Sequence, residues 1–142
     1  MEKTMQVGID ELIHDDRLIK EEKYVKAYYS PTLKLLGIVW QGNFTKEQYI
    51  ELFESLIAFA EKNQVIGFYS DIRNQGIVSV EGRKHFEKHI SPKAAALGID
   101  KTGVVTDASP FKKYYLNMVI RVTGRPTKLC SKPEDALAYI LS

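Results

Sequence analysis

The stretch QVIGFYSDIRNQGIVSVEGRKHFEKH, residues 64–89, decides the fold of this chain. Val65, Ile66, Gly67, Phe68 and Tyr69 make a near-continuous apolar run, the pattern of a central strand covered on both faces. Residues 72–78 are a polar loop, and Ser79 stands where the N-cap of a helix over residues 79–90 is expected. Asp71 and Arg73 then lie at the carboxyl end of the strand, the place where ligands of α/β sheets collect.

Toward the N-terminus the pattern changes. Residues 24–30, YVKAYYS, alternate as a half-buried strand, with Val25 and Ala27 facing one way and Tyr24, Lys26 and Tyr28 the other. Ser30-Pro31-Thr32 is a turn, and residues 33–42, LKLLGIVWQG, read as a second strand. So short a link demands an antiparallel hairpin. Thr45-Lys46-Glu47-Gln48 is a capping box that starts a helix with Tyr49, Phe53, Leu56, Ile57 and Ala60 on one face. Residues 1–22 are read as an extension that either adds an edge strand through Leu12 and Ile13 or stays mobile.

Toward the C-terminus, Ser91-Pro92 is expected to interrupt the helix, with Ser91 capping a further short helix closed by Gly98. Residues 101–106 are a strand. Ser109-Pro110 starts a helix reaching about Thr123, and residues 127–130 are a last strand. Ser131-Lys132-Pro133-Glu134 reads as a second capping box, before a helix with Ala136, Leu137, Ile140 and Leu141 inward. The expected fold is a single α/β domain over residues 23–142. Its sheet is mixed and five-stranded, with an N-terminal β-hairpin and about four helices.

The bulk composition fits that picture. A chain of 142 residues with 44% apolar and 27% charged residues can bury a core as one domain. Its formal charge of +2 gives no case for nucleic acid. Residues 1–74 carry 9 basic and 12 acidic side chains and residues 75–142 carry 11 and 6, an asymmetry that reads as solvated surface. One cysteine, Cys130, excludes an internal disulfide framework, and its strand context predicts a buried thiol. No membrane-length apolar run and no signal-peptide pattern is seen, so a cytoplasmic location is expected.

The order of elements resembles the STAS fold, closest to its SpoIIAA-like branch. Residues 37–49, GIVWQGNFTKEQY, are similar to the tryptophan strand and following helix of that family, and FYSD, ending at Asp71, to its central strand. In the anti-sigma antagonists of the family, the next loop leads to Asp-Ser-Ser-Gly, whose second serine is phosphorylated. Here the matching tetrad is Ser79-Val80-Glu81-Gly82. Gly82 keeps its place, Ser79 takes the capping role, and Glu81 replaces the phosphorylatable serine. The resemblance therefore implies a regulatory domain without the serine switch, with a carboxylate set against the helix N-terminus.

Candidate chemistry is sparse. His85 and His89 sit four apart and could share a divalent metal. They do not form H-E-x-x-H, and no third ligand is spaced to join them, so solvent-facing histidines and no cofactor are expected. Asp71 with Arg73 reads as an ion pair fixing the loop. No P-loop, G-x-G-x-x-G or G-x-S-x-G occurs. On the predicted helix near residues 110–122, Leu116 and Ile120 lie outside the core stripe beside Tyr114 and Tyr115, as a partner surface, a homodimer contact or the lip of an apolar pocket would. The functional expectation is a non-enzymatic protein-interaction domain working through Asp71, Arg73, Asn74, Ser79, Glu81, Tyr115, Leu116 and Ile120. A carrier of a small apolar or lipid-like molecule is the alternative, suggested for some members of the family, and an enzyme ranks third.

Overall fold

The structure is a computed structural model and describes residues 7–107 and 124–142. Six strands form one mixed sheet: β1 (Leu18–Glu22), β2 (Val25–Ser30), β3 (Leu35–Gly42), β4 (Gly67–Gln75), β5 (Lys101–Val105) and β6 (Thr127–Cys130). Their spatial order is their chain order. β1, β2 and β3 are antiparallel neighbours, and β3 through β6 run parallel. Four helices belong to the described residues: α1 (Lys46–Ala60), α2 (Val80–His85), α3 (Ser91–Ala96) and α4 (Pro133–Leu141).

Local chemistry explains the joints. The β2–β3 turn is closed by the Lys34 amide donating to the Ser30 carbonyl at 2.7 Å and the Leu33 amide donating to the Ser30 hydroxyl at 3.1 Å. At the start of α1, the Gln48 amide donates to the Thr45 hydroxyl at 3.1 Å and the Thr45 amide to the Gln48 side chain at 2.8 Å, so two orphan donors are satisfied reciprocally. Gly98, at φ +86°, ends α3 in the left-handed region that a side chain would resist.

Both faces of the sheet are covered, which gives two cores. On one face, α1, α2 and α3 pack over Val25, Ala27, Ile38, Trp40, Phe68, Ile72 and Val104. On the other, α4 and the N-terminal segment pack over Tyr28, Leu35, Tyr69, Val105 and Cys130. The pleat divides β4 between them, Phe68 and Ile72 to the first core and Tyr69 to the second.

Several expectations need correction. The sheet has six strands: the extra edge strand is Leu18–Glu22, whereas the segment around Leu12 and Ile13 forms short 3-10 turns (Ile9–Glu11 and Asp15–Arg17). Leu12 is fully buried against Gly37, so this segment covers the second core. Tyr24 joins Val25 in the first core; it precedes β2, where the pleat does not apply, and its ring lies 6.0 Å from Phe44. β4 starts at Gly67 and runs on to Gln75, which leaves Asp71 in mid-strand and not at its end. Ser91-Pro92 does not break the helix. α2 passes through a π-helical turn (Phe86–Ile90) directly into α3, and Ser91, buried, caps nothing. A π-turn adds one residue to the ring of hydrogen bonds, so the helix rotates past the proline without stopping. α4 is N-capped by Lys132 with no side-chain bond, and the expected Ser131 box does not form; Leu141 is exposed in the last turn and does not join the inward face. The helix expected over residues 110–122 lies outside the described residues.

Candidate functional site

The residues singled out around β4 separate onto two faces. Asp71 follows Tyr69 on the α4 side, and its carboxylate is committed there. Arg73 Nη2 donates to Asp71 Oδ2 at 2.6 Å, Arg73 Nε to Oδ1 at 3.0 Å, and the Arg73 amide to Oδ1 at 3.1 Å. Asp71 is 7% exposed, so the pair is anchored in protein at one end and open to solvent at the guanidinium. The hydrogen bonds that Arg73 donates to the Asp71 carboxylate hold its pKa above the usual value. Burial, reinforced by the Asp71 charge, raises that of the Tyr69 phenol. This is the ion pair expected from the sequence, here stapling consecutive residues of one strand face.

Ser79 and Glu81 sit on the other side, at the start of α2. The Ser79 hydroxyl accepts the Gly82 amide at 3.0 Å, which is the expected cap. Glu81 is exposed in the first turn. Gly82 is buried close to Tyr49: an added Cβ would lie 3.2 Å from that ring, so the glycine lets α2 settle on α1. Asn74 is exposed near the end of β4, opposite Gln41. Asp71 and Arg73 therefore do not form one constellation with Ser79 and Glu81. Tyr115, Leu116 and Ile120 lie outside the described residues.

The histidines are also only partly as expected. His89 is exposed, but His85 is half-buried, with Nε2 3.3 Å from Glu54 Oε2 on α1, and the two rings lie 4.9 Å apart. The reason is that α2 and its π-turn lean on α1, which brings Glu54 against the histidine. Among the described residues, no group of three or more His, Cys, Asp or Glu could hold a metal. Cys130 is 7% exposed, and burial pushes its thiol pKa up, the opposite of an activated nucleophile.

Two features were not singled out from the sequence. The first is in the loop between β4 and α2, where Ile77 is 91% exposed and Val80, just past the cap, is 50% exposed. An isoleucine inside the polar run RNQGIVS was the available signal. The second is a cavity of about 160 Å³ on the α1 face, lined mainly by apolar side chains that include Trp40, Tyr49, Phe53, Phe68 and Phe86. Trp40, 1% exposed, stacks on Tyr49 with ring centroids 5.6 Å apart, and Phe53 meets Phe86 edge-on at 4.9 Å. The same aromatic stripe reads as plain core in the sequence, because periodicity cannot tell a filled interior from one with a gap.

These features define an α/β domain with a mixed six-stranded sheet, an exposed apolar loop at the carboxyl end of its central strand and a small aromatic cavity beneath. No described helix is long and apolar enough to cross a membrane. No protein-family model, curated protein or solved structure matches the chain.

Proposed function

We propose that this chain is a cytoplasmic, non-enzymatic recognition domain of the SpoIIAA-like STAS type, and that the loop between β4 and α2 is where a protein partner docks. The observation that carries this reading is Ile77, 91% exposed, with Val80 half-exposed beside it. Exposing a large aliphatic side chain forgoes about 1.5–3 kcal/mol of burial. A partner that covers it recovers that energy. Two of the groups best suited to chemistry are otherwise engaged: Asp71 by Arg73, and Cys130 by the core. Glu81, a fixed negative charge beside the loop, favours a partner with a basic rim.

The test replaces Ile77 and Val80 together by serine. Ile77 is almost fully exposed and Val80 half-exposed, so the thermal midpoint should fall by no more than about 4 °C from the parent. Capture from native extract, with parent and variant side by side, should return a protein that the parent retains and the variant loses. Sedimentation of both proteins covers the homodimer, which would dissociate in the variant. If every captured protein and the oligomeric state are the same for both, the loop is not the docking site.

The cavity favours a second reading, a carrier of a small apolar molecule. Its aromatic lining and its position beneath the sheet's α1 face are of the kind ligand sites use, although sites for drug-sized ligands are larger, about 300–1,000 Å³.

A further inference from the structure

The exposed tip beside α2 carries both signs of charge, and that restricts what docks on it. We infer that the partner at this loop is a second copy of this chain, with α2 of one copy lying antiparallel to α2 of the other across a two-fold axis. This inference rests on the docking reading above and names its partner.

The first argument is where the side chains lie. Ile77 stands just before α2, almost fully exposed, and along the helix Val80, Glu81 and Lys84 are exposed while Gly82 is buried. At about 100° per residue, Lys84 lies about 40° and Glu81 about 100° around the helix from Val80, with Gly82 on the far side. One outward face therefore holds an aliphatic group, a carboxylate and an ammonium. Lys88, a turn further on, is exposed as well.

The second is that these charges can pair with their own copies. Among the described residues neither Glu81 nor Lys84 has an ion-pair or hydrogen-bond partner. They are three residues apart, about 4.5 Å along the helix axis. A two-fold axis that crosses α2 midway between them sets Glu81 of each copy level with Lys84 of the other, so one contact makes two ion pairs. It also lays Ile77 and Val80 of each copy along the apolar methylene stems of Lys88 and Lys84 of the other. Such self-complementarity is what an isologous contact requires. The basic rim favoured by Glu81 is then Lys84 of the second copy, whereas a partner of one sign would satisfy one of these charges and repel the other.

The third is that the tip is held in place. The Gly76 amide donates to the Gly42 carbonyl at 2.9 Å. A Cβ on Gly76 would lie 2.7 Å from that carbonyl oxygen and 2.5 Å from Asn43 Oδ1, so the loop presses on the end of β3 as closely as a glycine allows. Ile77 follows directly, and the Ser79 cap fixes the chain again two residues later. Little ordering entropy is left to lose when a partner covers this tip.

The experiment uses the full chain and follows its mass by sedimentation equilibrium from about 5 to 500 µM, the range in which weak contacts of small area associate. The parent should pass from monomer to dimer. Glu81→Lys and Lys84→Glu should each weaken the dimer at least about tenfold, because each sets like charges opposite one another twice. The double variant, E81K with K84E, should return to within about threefold of the parent, since both pairs re-form with their signs exchanged. Thermal midpoints check that every variant is folded. If Glu81→Lys does not fold, Ile77→Ser with Val80→Ser takes its place and should be monomeric throughout. A parent that stays monomeric while the serine variant loses a captured protein overturns this inference and leaves the docking reading standing. A monomeric parent with no captured protein lost removes both. A dimer that survives either charge reversal, or that the folded double variant fails to restore, is built on another surface and overturns the inference.

Discussion

Gly103→Ala should loosen α4 from the sheet, and the cost can be worked from the contact itself. Gly103 lies on β5 under α4. A Cβ at that position would sit 2.5 Å from the carbonyl oxygen of Ala136 and 3.0 Å from its carbonyl carbon. Ordinary contact begins at about 3.4 Å, so the helix must retreat by roughly 0.9 Å or β5 must buckle. Either movement disturbs Ala136, Leu137 and Ile140, which are 0%, 1% and 6% exposed. Overpacking of this kind costs about 1–3 kcal/mol. The loss of unfolded-state freedom on replacing glycine returns about 0.4–1 kcal/mol, which leaves a net destabilisation of about 1–2 kcal/mol. For a chain of 142 residues the unfolding entropy is about 0.3 kcal/mol/K, so 2 kcal/mol lowers the thermal midpoint by about 7 °C. Calorimetry and urea unfolding measure both quantities. Ile140 Cδ1 also lies 3.0 Å from the added Cβ, but the closest atom belongs to the backbone. Ile140→Val should consequently fail to rescue the variant. A Gly103→Ala protein within about 0.3 kcal/mol of the parent, or full rescue by Ile140→Val, would refute the packing argument.

Leu12→Ala should cost about 2–5 kcal/mol in urea unfolding, because Leu12 is fully buried in the second core; a change below 1 kcal/mol would mean the N-terminal segment is not part of the folded unit. At the ion pair, Arg73→Leu should destabilise more than Asp71→Asn, by about 1 kcal/mol or more, since it leaves the more deeply buried carboxylate without its partner. Equal losses from the two variants would argue that solvent already screens the pair. Alkaline pH should weaken the fold: burial raises the pKa values of Tyr24, Tyr28, Tyr49 and Tyr69, so the unfolded chain releases phenolic protons that the native chain keeps. Their contribution is complete below about pH 10 and is lost as the pH rises above it. The urea midpoint should fall in that range, and a flat profile there would contradict the burial of these phenols.

Much of the scaffold was legible in the sequence because it depends on neighbours in the chain. The Thr45 box, the Ser79 cap, the Gly98 stop and the Ser30 turn are closed by atoms two to four residues apart, and residue type at that spacing is enough to read them. The hairpin and the crossovers follow from loop length, which is why the mixed α/β sheet was expected. Capping was misread where tertiary packing overrode it: Ser91 is drawn into the core by a π-turn, and Ser131 is left outside when Pro133 takes the first helical turn.

The candidate site was less legible, and the reason is geometric. Sequence places Asp71, Arg73, Ser79 and Glu81 within eleven residues, and only the pleat of β4 shows that the first two face α4 while the others open toward α1. Ile77 is apolar in the sequence and exposed in the fold, a difference that depends on what fails to cover it. The aromatic rings of β3, α1 and the π-turn come from residues as far apart as Trp40 and Phe86, and the gap between them exists only once the sheet and helices have closed. By itself the sequence determined the elements, their order and the local bonds that start and stop them. Which face each side chain took, what lay uncovered and how much space remained inside were decided by packing, because those properties belong to distances between segments and not to the order of residues along one.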